Sequence, residues 1–370
     1  MVDPSALEGV AVMLFGGQYR DREVFLTGHT GFKGSWLALW LHALGARVTG
    51  VALAPDTNPS HWTLLGLDVV DRRIDVRDAD SVLAAMRTAK PEIVLHLAAQ
   101  PLVRRSYRAP VDTWSTNVVG TAAVLDACRQ TSSVKAVIVV TTDKCYQNQE
   151  WPWSYRETDP LGGHDPYSAS KAAAELVASS YRDAFFQDEG APLVATARAG
   201  NVIGGGDWSE DRLIPDLVRG IAGGAPAAIR SPNATRPWQH VLDSLSGYLR
   251  LGELLLSGDR RCADAWNFGP DGEGGRRVAD VLCALKVEWP ALDWSTTSSP
   301  QPRETTLLGL DATKARTQLG WRPVWPLDVA LRETVCWYRN YIERGAVTSR
   351  EQLDRYVTAA VAAGASWVTQ

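Results

Sequence analysis

The sequence predicts an α/β fold: a doubly wound parallel sheet followed by a smaller C-terminal α/β lobe. Two observations carry this. Short β-branched runs alternate with helical patterns from residue 23 to about residue 203, and repeated βα units of this kind build parallel sheets. After Gly204 the composition shifts to glycine- and proline-rich loops with short elements between them. A chain of 370 residues accommodates one large α/β domain with a lobe, or two domains.

The elements follow in order. EVFLTG (23–28) reads as a strand ending in glycine, and Gly28, Gly31 and Gly34 lead into a helix carrying Trp36, Leu37, Leu39, Trp40 and Leu44. Gly45 stops that helix, and ARVTGVAL (46–53) is the next strand. The alternation continues with VVDRRIDV, a helix over 79–89, PEIVLHLAA, a helix over 116–130 and VKAVIVVTT. A helix starting near Ser168 and the strand LVATARAGNV complete it. Beyond lie the loops IGGGDWSEDRLIPD and RSPNATRPWQH. The expected division is an extension over 1–20, a dinucleotide-binding domain over 21–203, a substrate-binding lobe over 204–345 that lends some elements back to the main sheet, and a helical tail over 346–370 with a frayed end.

Composition narrows the function classes. The chain is 45% hydrophobic and 22% charged with a net charge of -4, so nothing marks a nucleic-acid surface. Five scattered cysteines form no CxxC pair and no metal-like spacing, which suits reduced thiols in the cytoplasm. No apolar run reaches the length of a membrane span. The patch VAVMLFGG is preceded by no basic residue and makes a poor signal peptide. Most of the 15 tryptophans are expected to be packing residues with a wet indole edge.

Three motifs carry chemistry. The Gly28-x-x-Gly31-x-x-Gly34 turn between a strand and a helix is a phosphate cradle: glycine permits the tight turn and close backbone approach, and the helix N-terminus favours a pyrophosphate. This predicts a Rossmann-type dinucleotide site. The carboxylate expected after the second strand comes late, at Asp56, and no arginine stands there for a 2′-phosphate, so NAD is favoured over NADP. Asp75 and Val76 are placed at the adenine edge. In YSASK, Tyr167 and Lys171 share one helix face. A phenol titrating near ~10 acts as a base only when cations stabilise its phenolate, which Lys171 and an oxidised nicotinamide would do. Finally, Thr142, Asp143 and Lys144 in TTDKCYQN sit where a strand ends, at the edge where parallel sheets bind ligands. Without the other motifs this is an ordinary strand-end turn with a capping Asp and a solvated Lys.

The cradle, LHLAAQ (95–100), the strand ending at Thr142 and YxxxK together resemble the extended short-chain dehydrogenase/reductase family, which acts on nucleotide sugars. More narrowly, GHTGFKGSWL, TTDKCYQN, GGHDPYSASKAAAE, RAGNVIGGGDW and RPWQHV resemble the 4,6-dehydratase branch specific for CDP-glucose, from about residue 22 to 340. The dTDP-glucose relatives carry Glu where Lys144 stands. The resemblance implies NAD held by Gly28, Gly31, Phe32, Lys33, Gly34, Asp75, Val76, Leu97, Ala98, Ala99, Tyr167 and Lys171. It implies that Tyr167, Thr142 and Lys171 serve oxidation at carbon 4, with Lys144 as base at carbon 5 and Asp143 as acid for the departing 6-hydroxyl. Substrate contacts are expected at Gln100, Asn201, Arg212, Arg236, His240 and Arg303, with Trp208 beside the sugar or base. A homodimer is implied, paired through helices near Asn117 and Ser168 with Val118, Ala122 and Leu125 toward the partner. A nucleotide-sugar epimerase, a dehydratase of another nucleotide hexose and a non-catalytic dinucleotide sensor remain alternatives; only the last would be expected to break the Tyr167/Lys171 pair.

Overall fold

The computed structural model describes residues 13–272, 275–296 and 306–369. Its centre is a sheet of seven parallel strands: β1 (Glu23–Thr27), β2 (Arg47–Ala52), β3 (Val70–Arg73), β4 (Ile93–His96), β5 (Ala136–Val140), β6 (Leu193–Ala199) and β7 (Ala265–Phe268). The spatial order is β7-β6-β5-β4-β1-β2-β3, so the direction of winding reverses between β1 and β4. Ligands bind at such a switch point, outside the carboxyl ends of the strands. The continuous apolar runs of β4, β5 and β6 are buried along their whole length, as a parallel sheet covered on both faces requires. The seventh strand, AWNF, was not anticipated from the sequence.

Alternation along each strand divides the core. Phe25, Val94, Val137 and Val139 face α2 (Ala79–Ala89), α3 (Gly120–Arg129) and α4 (Pro166–Phe185), meeting Val82, Met86, Val124, Leu125 and Ala178. Val24, Leu26, Ile93 and Ile138 face α1 (Phe32–Ala43) with its Trp36 and Trp40. Beyond Gly204 lie α5 (Leu213–Gly223), α6 (Val241–Leu256), α7 (Val278–Glu288), α8 (Leu327–Arg344) and α9 (Ser349–Ala362). The strand Ala227–Ile229 pairs in parallel with Trp294–Thr296, and Thr235–Arg236 pairs antiparallel with Arg276–Arg277. α6 belongs to the sheet core, where Leu245 and Leu249 join Ile138 and Trp36.

Two segments differ from expectation. The predicted helix over 116–130 starts earlier, as Val103–Arg108 and Pro110–Trp114, and passes through a wider π turn at Ser115–Val119 before α3. That turn buries Asn117, which donates to Gln100 O (3.1 Å) and Ser170 Oγ (2.9 Å) and accepts from Gln100 N (2.8 Å). It ties the end of β4 to α4. At the other end, the tail does not fray. Val368–Thr369 pairs with Met13–Leu14, Phe15 stacks on Trp367 at 4.9 Å, and Tyr19 Oη donates to Leu249 O at 2.7 Å. Burying these large aromatics favours order at both ends of the described chain.

Candidate active site

A cleft of about 1020 Å³ opens along the carboxyl ends of the central strands. At one end lies the glycine cradle. Gly28 adopts φ +75°, and a Cβ there would sit 2.6 Å from Ala98 N. A Cβ on Gly34 would fall 2.1 Å from Gly28 O, whereas one on Gly31 would approach nothing closer than 3.4 Å. Gly28 and Gly34 therefore fix the turn, and Gly31 leaves open the approach to α1. No side chain caps that helix, so its first N–H groups remain available to an anion, which fits a dinucleotide pyrophosphate. Thr27 Oγ1 accepts from Leu97 N and Ala98 N at 3.1 Å each, shaping the adjacent strand end.

Phe32, Val76, Leu97, Ala98 and Ala99 line the cleft with the three glycines. Asp75 also lines it, with its carboxylate held by Arg77 Nε at 3.0 Å. That bond keeps Asp75 below the usual carboxylate range. Lys33 also lines the cleft, and its Nζ donates to Tyr248 Oη on α6 at 3.2 Å. Burial, helped by Arg212, pushes this ammonium down to about 7.

The proposed reacting groups stand at the middle. Thr142 ends the extended segment after β5 and caps the single turn Asp143–Cys145, its Oγ1 accepting from Lys144 N (3.3 Å) and donating to Asp143 Oδ1 (3.0 Å). Asp143 is 2% exposed, and its Oδ2 has no hydrogen-bond partner among the described residues. Burial raises its pKa, opposed by Lys144, Thr142, Arg236 and Lys33. A buried carboxyl with a raised pKa and an uncommitted oxygen suits a proton donor. Lys144 is half-buried and lines the cleft beside it.

α4 delivers the tyrosine and lysine. Asp165 caps it, accepting from Tyr167 N and Ser168 N at 2.9 Å each, with Pro166 in the first turn. This fixes the helix start, so Tyr167 and Lys171 face the end of β5. Lys171 Nζ donates to Val140 O at 3.0 Å; burial lowers it to about 8, opposed by Glu175. Burial lifts the Tyr167 phenol to about 12 against a hydrogen bond from Thr142.

A supporting network was missed in the sequence. One turn beyond Lys171, Glu175 accepts from Thr141, from Thr196 (2.7 Å) and from Arg198 (2.7 Å). Arg198 also donates to Tyr146 Oη at 2.9 Å, and Tyr146 donates to Asn267 Oδ1 at 2.7 Å. The TTDKCY turn and α4 are thus locked together from below. The i+4 placement of Glu175 after Lys171 was the available signal.

Asn201, Arg212, Arg236 and Trp208 line the cleft. Arg212 is held by Asp207 at 3.1 Å, and Arg236 donates to Thr235 O at 2.8 Å. Gln100 and His240 do not line it. Gln100 spends its side chain on Thr113 Oγ1 (2.8 Å), Leu102 O (3.2 Å) and Leu102 N (2.7 Å). His240 is fully buried between Trp36 and Trp325, where its Nδ1 accepts from Leu242 N and caps α6. Arg303 lies outside the described residues.

Comparisons with known proteins agree with this geometry. Over 351 residues the chain is 44% identical to a CDP-glucose 4,6-dehydratase of Salmonella typhimurium, covering 92% of this chain and 98% of that protein. It is 31% identical over 278 residues to a dTDP-glucose 4,6-dehydratase of Streptomyces antibioticus, covering 72% and 76%. Among solved structures, DesIV, a dTDP-glucose 4,6-dehydratase from Streptomyces venezuelae with NAD and TYD bound, superposes with a TM-score of 0.71 at 25% identity, covering 86% and 97%. A profile described as the NAD dependent epimerase/dehydratase family matches residues 24–261. That match spans the cradle and the Tyr167/Lys171 helix, and the chain belongs to the NAD-dependent epimerase/dehydratase family.

Proposed function

We propose that this chain dehydrates a nucleoside diphosphate hexose, CDP-D-glucose, to CDP-4-keto-6-deoxy-D-glucose. One observation carries the reading beyond the family: Asp143 and Lys144 add an acid and a base to the Thr142, Tyr167 and Lys171 set, in one cleft. Moving a hydride on and off carbon 4 needs only the latter three. Losing water across carbons 5 and 6 needs the other two. The relationship to the Salmonella enzyme supports CDP-glucose as substrate.

Gly28, Gly31, Gly34, Asp75, Val76 and Ala98 would hold NAD, which would supply a hydride acceptor for carbon 4 and a hydride donor for carbon 6. Tyr167 takes the 4-hydroxyl proton, and the Lys171 ammonium on the same helix face favours the phenolate that this requires. Thr142 donates to the same substrate oxygen. The carbon 4 ketone acidifies the carbon 5 hydrogen, which Lys144 removes as a proton. Asp143, whose pKa burial raises, gives its proton to the departing 6-hydroxyl. Lys144 returns a proton to carbon 5, and the net change is loss of one water. Asn201, Arg212 and Arg236 hold the diphosphate, the arginines through forked donors.

We assign the chain to a homodimer in the cytoplasm. No helix among the described residues is long and apolar enough to cross a membrane. The face made by Pro110–Trp114, the π turn and α4 leaves Val111, Trp114, Val119 and Leu176 between 41% and 80% exposed, which suits pairing with a second copy. Leu125 is not part of that face; it packs under the sheet. Light scattering that returned a 40.3 kDa particle at micromolar concentration would contradict the dimer. For the activity, incubation with CDP-, dTDP-, UDP- and GDP-glucose is expected to give a 4-keto-6-deoxy product with the CDP sugar. A carbon 4 epimer instead would overturn the reading.

A further inference from the structure

The far end of the cleft is built differently from its centre. α5 lines it with Leu213, Asp216, Arg219 and Ala222. Ala228, Ile229 and Val278 line the same cleft, and small or apolar side chains suit the face of a flat ring. Arg212 caps α5 and contributes to the electrostatics of both Tyr167 and Lys33. Asp216, about one helical turn further on, responds instead to Arg219, Asp211 and Arg230. Arg212 at the start of α5 and Asp216 and Arg219 further along it line the same cleft, so a substrate whose phosphates meet Arg212 can lay its nucleoside along this helix.

Asp216 and Arg219 form a preset pair. Asp216 Oδ1 accepts from Arg219 Nη2, and Oδ2 accepts no hydrogen bond among the described residues. Arg219 is fixed by donating to Trp208 O and Ser209 O at 2.9 Å each. With the Asp216 bond, three of its five N–H donors are used. The couple offers a carboxylate acceptor beside spare guanidinium donors. A carboxylate facing a diphosphate would repel it, so its partner belongs to the uncharged nucleoside.

We infer that Asp216, oriented by Arg219, reads the pyrimidine base, accepting from the exocyclic amino group of cytosine and rejecting the 4-carbonyl of uracil and thymine. This rests on the nucleotide-hexose reading above and deepens it. Cytosine presents a donor followed by two acceptors, the complement of an acceptor with donors to one side of it. Uracil and thymine place a carbonyl oxygen against the carboxylate, two acceptors with no proton between them.

The test compares the affinities of CDP and UDP, which differ only at the base edge, measured by calorimetry in the wild type and in Asp216→Asn. An amide can donate to a 4-carbonyl as readily as it accepts from an amino group. The CDP preference of the wild type is expected to fall by about 10-fold or more in Asp216→Asn, with UDP binding unchanged or tighter. An unchanged CDP/UDP ratio overturns the inference, as does equal weakening of both, which would place Asp216 on the ribose. Turnover of CDP-glucose by the same wild-type preparation is measured in parallel. Its absence would defeat the functional reading, while the binding ratio still decides the role of Asp216.

Discussion

Replacing Asp143 by Asn separates the two halves of the reaction. The side chain keeps its size, and its oxygen still accepts from Thr142 Oγ1 at 3.0 Å. What disappears is the proton on Oδ2, the oxygen with no partner among the described residues. Loss of a general acid costs a factor of ~100 to 10,000, so dehydration is expected to fall by at least ~100-fold. The fold tolerates the change: leaving one amide unpaired near Gly200, whose built Cβ lies 3.1 Å from Oδ2, costs about 1–3 kcal/mol. Lys144 and Tyr167 are untouched. In deuterated water the variant is therefore expected to return CDP-glucose labelled at carbon 5 while forming almost no 6-deoxy product. Dehydration within a few-fold of wild type would refute the acid role of Asp143. Failure of both exchange and dehydration, with an intact fold, would show that Asp143 serves the first oxidation.

Three further outcomes follow from the same geometry. Lys144→Met removes the carbon 5 base, so carbon 5 should stop exchanging with deuterated water and turnover should fall ~100- to 10,000-fold; wild-type exchange would assign that proton elsewhere. Tyr167→Phe keeps the buried ring but loses the phenol, and should nearly abolish turnover with NAD affinity little changed by calorimetry; near-wild-type turnover would reject it as the base. His61, His96 and His240 are all pushed by burial from 6.5 to about 3. Below pH 6.5 the unfolded chain binds protons that the folded chain refuses, so stability falls on acidification and is regained as pH rises. The loss is about 1 kcal/mol per histidine between pH 6.5 and 5.5, or about 3 kcal/mol together, visible as a lower urea midpoint; a flat profile over that range would contradict the burial.

Local patterns carried most of the sheet and much of the site. The β-branched runs ended within a few residues of the observed strands because the central ones must be buried on both faces, and the helix over 79–89 coincides with α2. Tyr167 and Lys171 were legible because helical spacing puts them on one face, and the glycine cradle because its strand-turn-helix context is local. What escaped depends on distant partners. Gln100 looked like a cleft residue until the π turn brought Thr113 and Asn117 against it. His240 follows a conspicuous RPWQ loop, yet Trp36 and Trp325, 204 residues before it and 85 after, enclose it. The Glu175–Arg198–Tyr146 network joins a helix, a strand and a loop, and no single window of sequence contains it. Lys33 read as a cofactor contact, and its bond to Tyr248 on α6, 215 residues away, is one that no local pattern shows.

The central claim is that one hydrogen leaves carbon 4 and ends on carbon 6 of the same sugar. CDP-glucose bearing deuterium at carbon 4, converted by the wild-type protein and examined by NMR, tests it most directly. The account predicts deuterium in the carbon 6 methyl group of a 4-keto-6-deoxy product, with carbon 5 carrying hydrogen from solvent. Deuterium restored to carbon 4 of an epimer, or lost to solvent altogether, would contradict it.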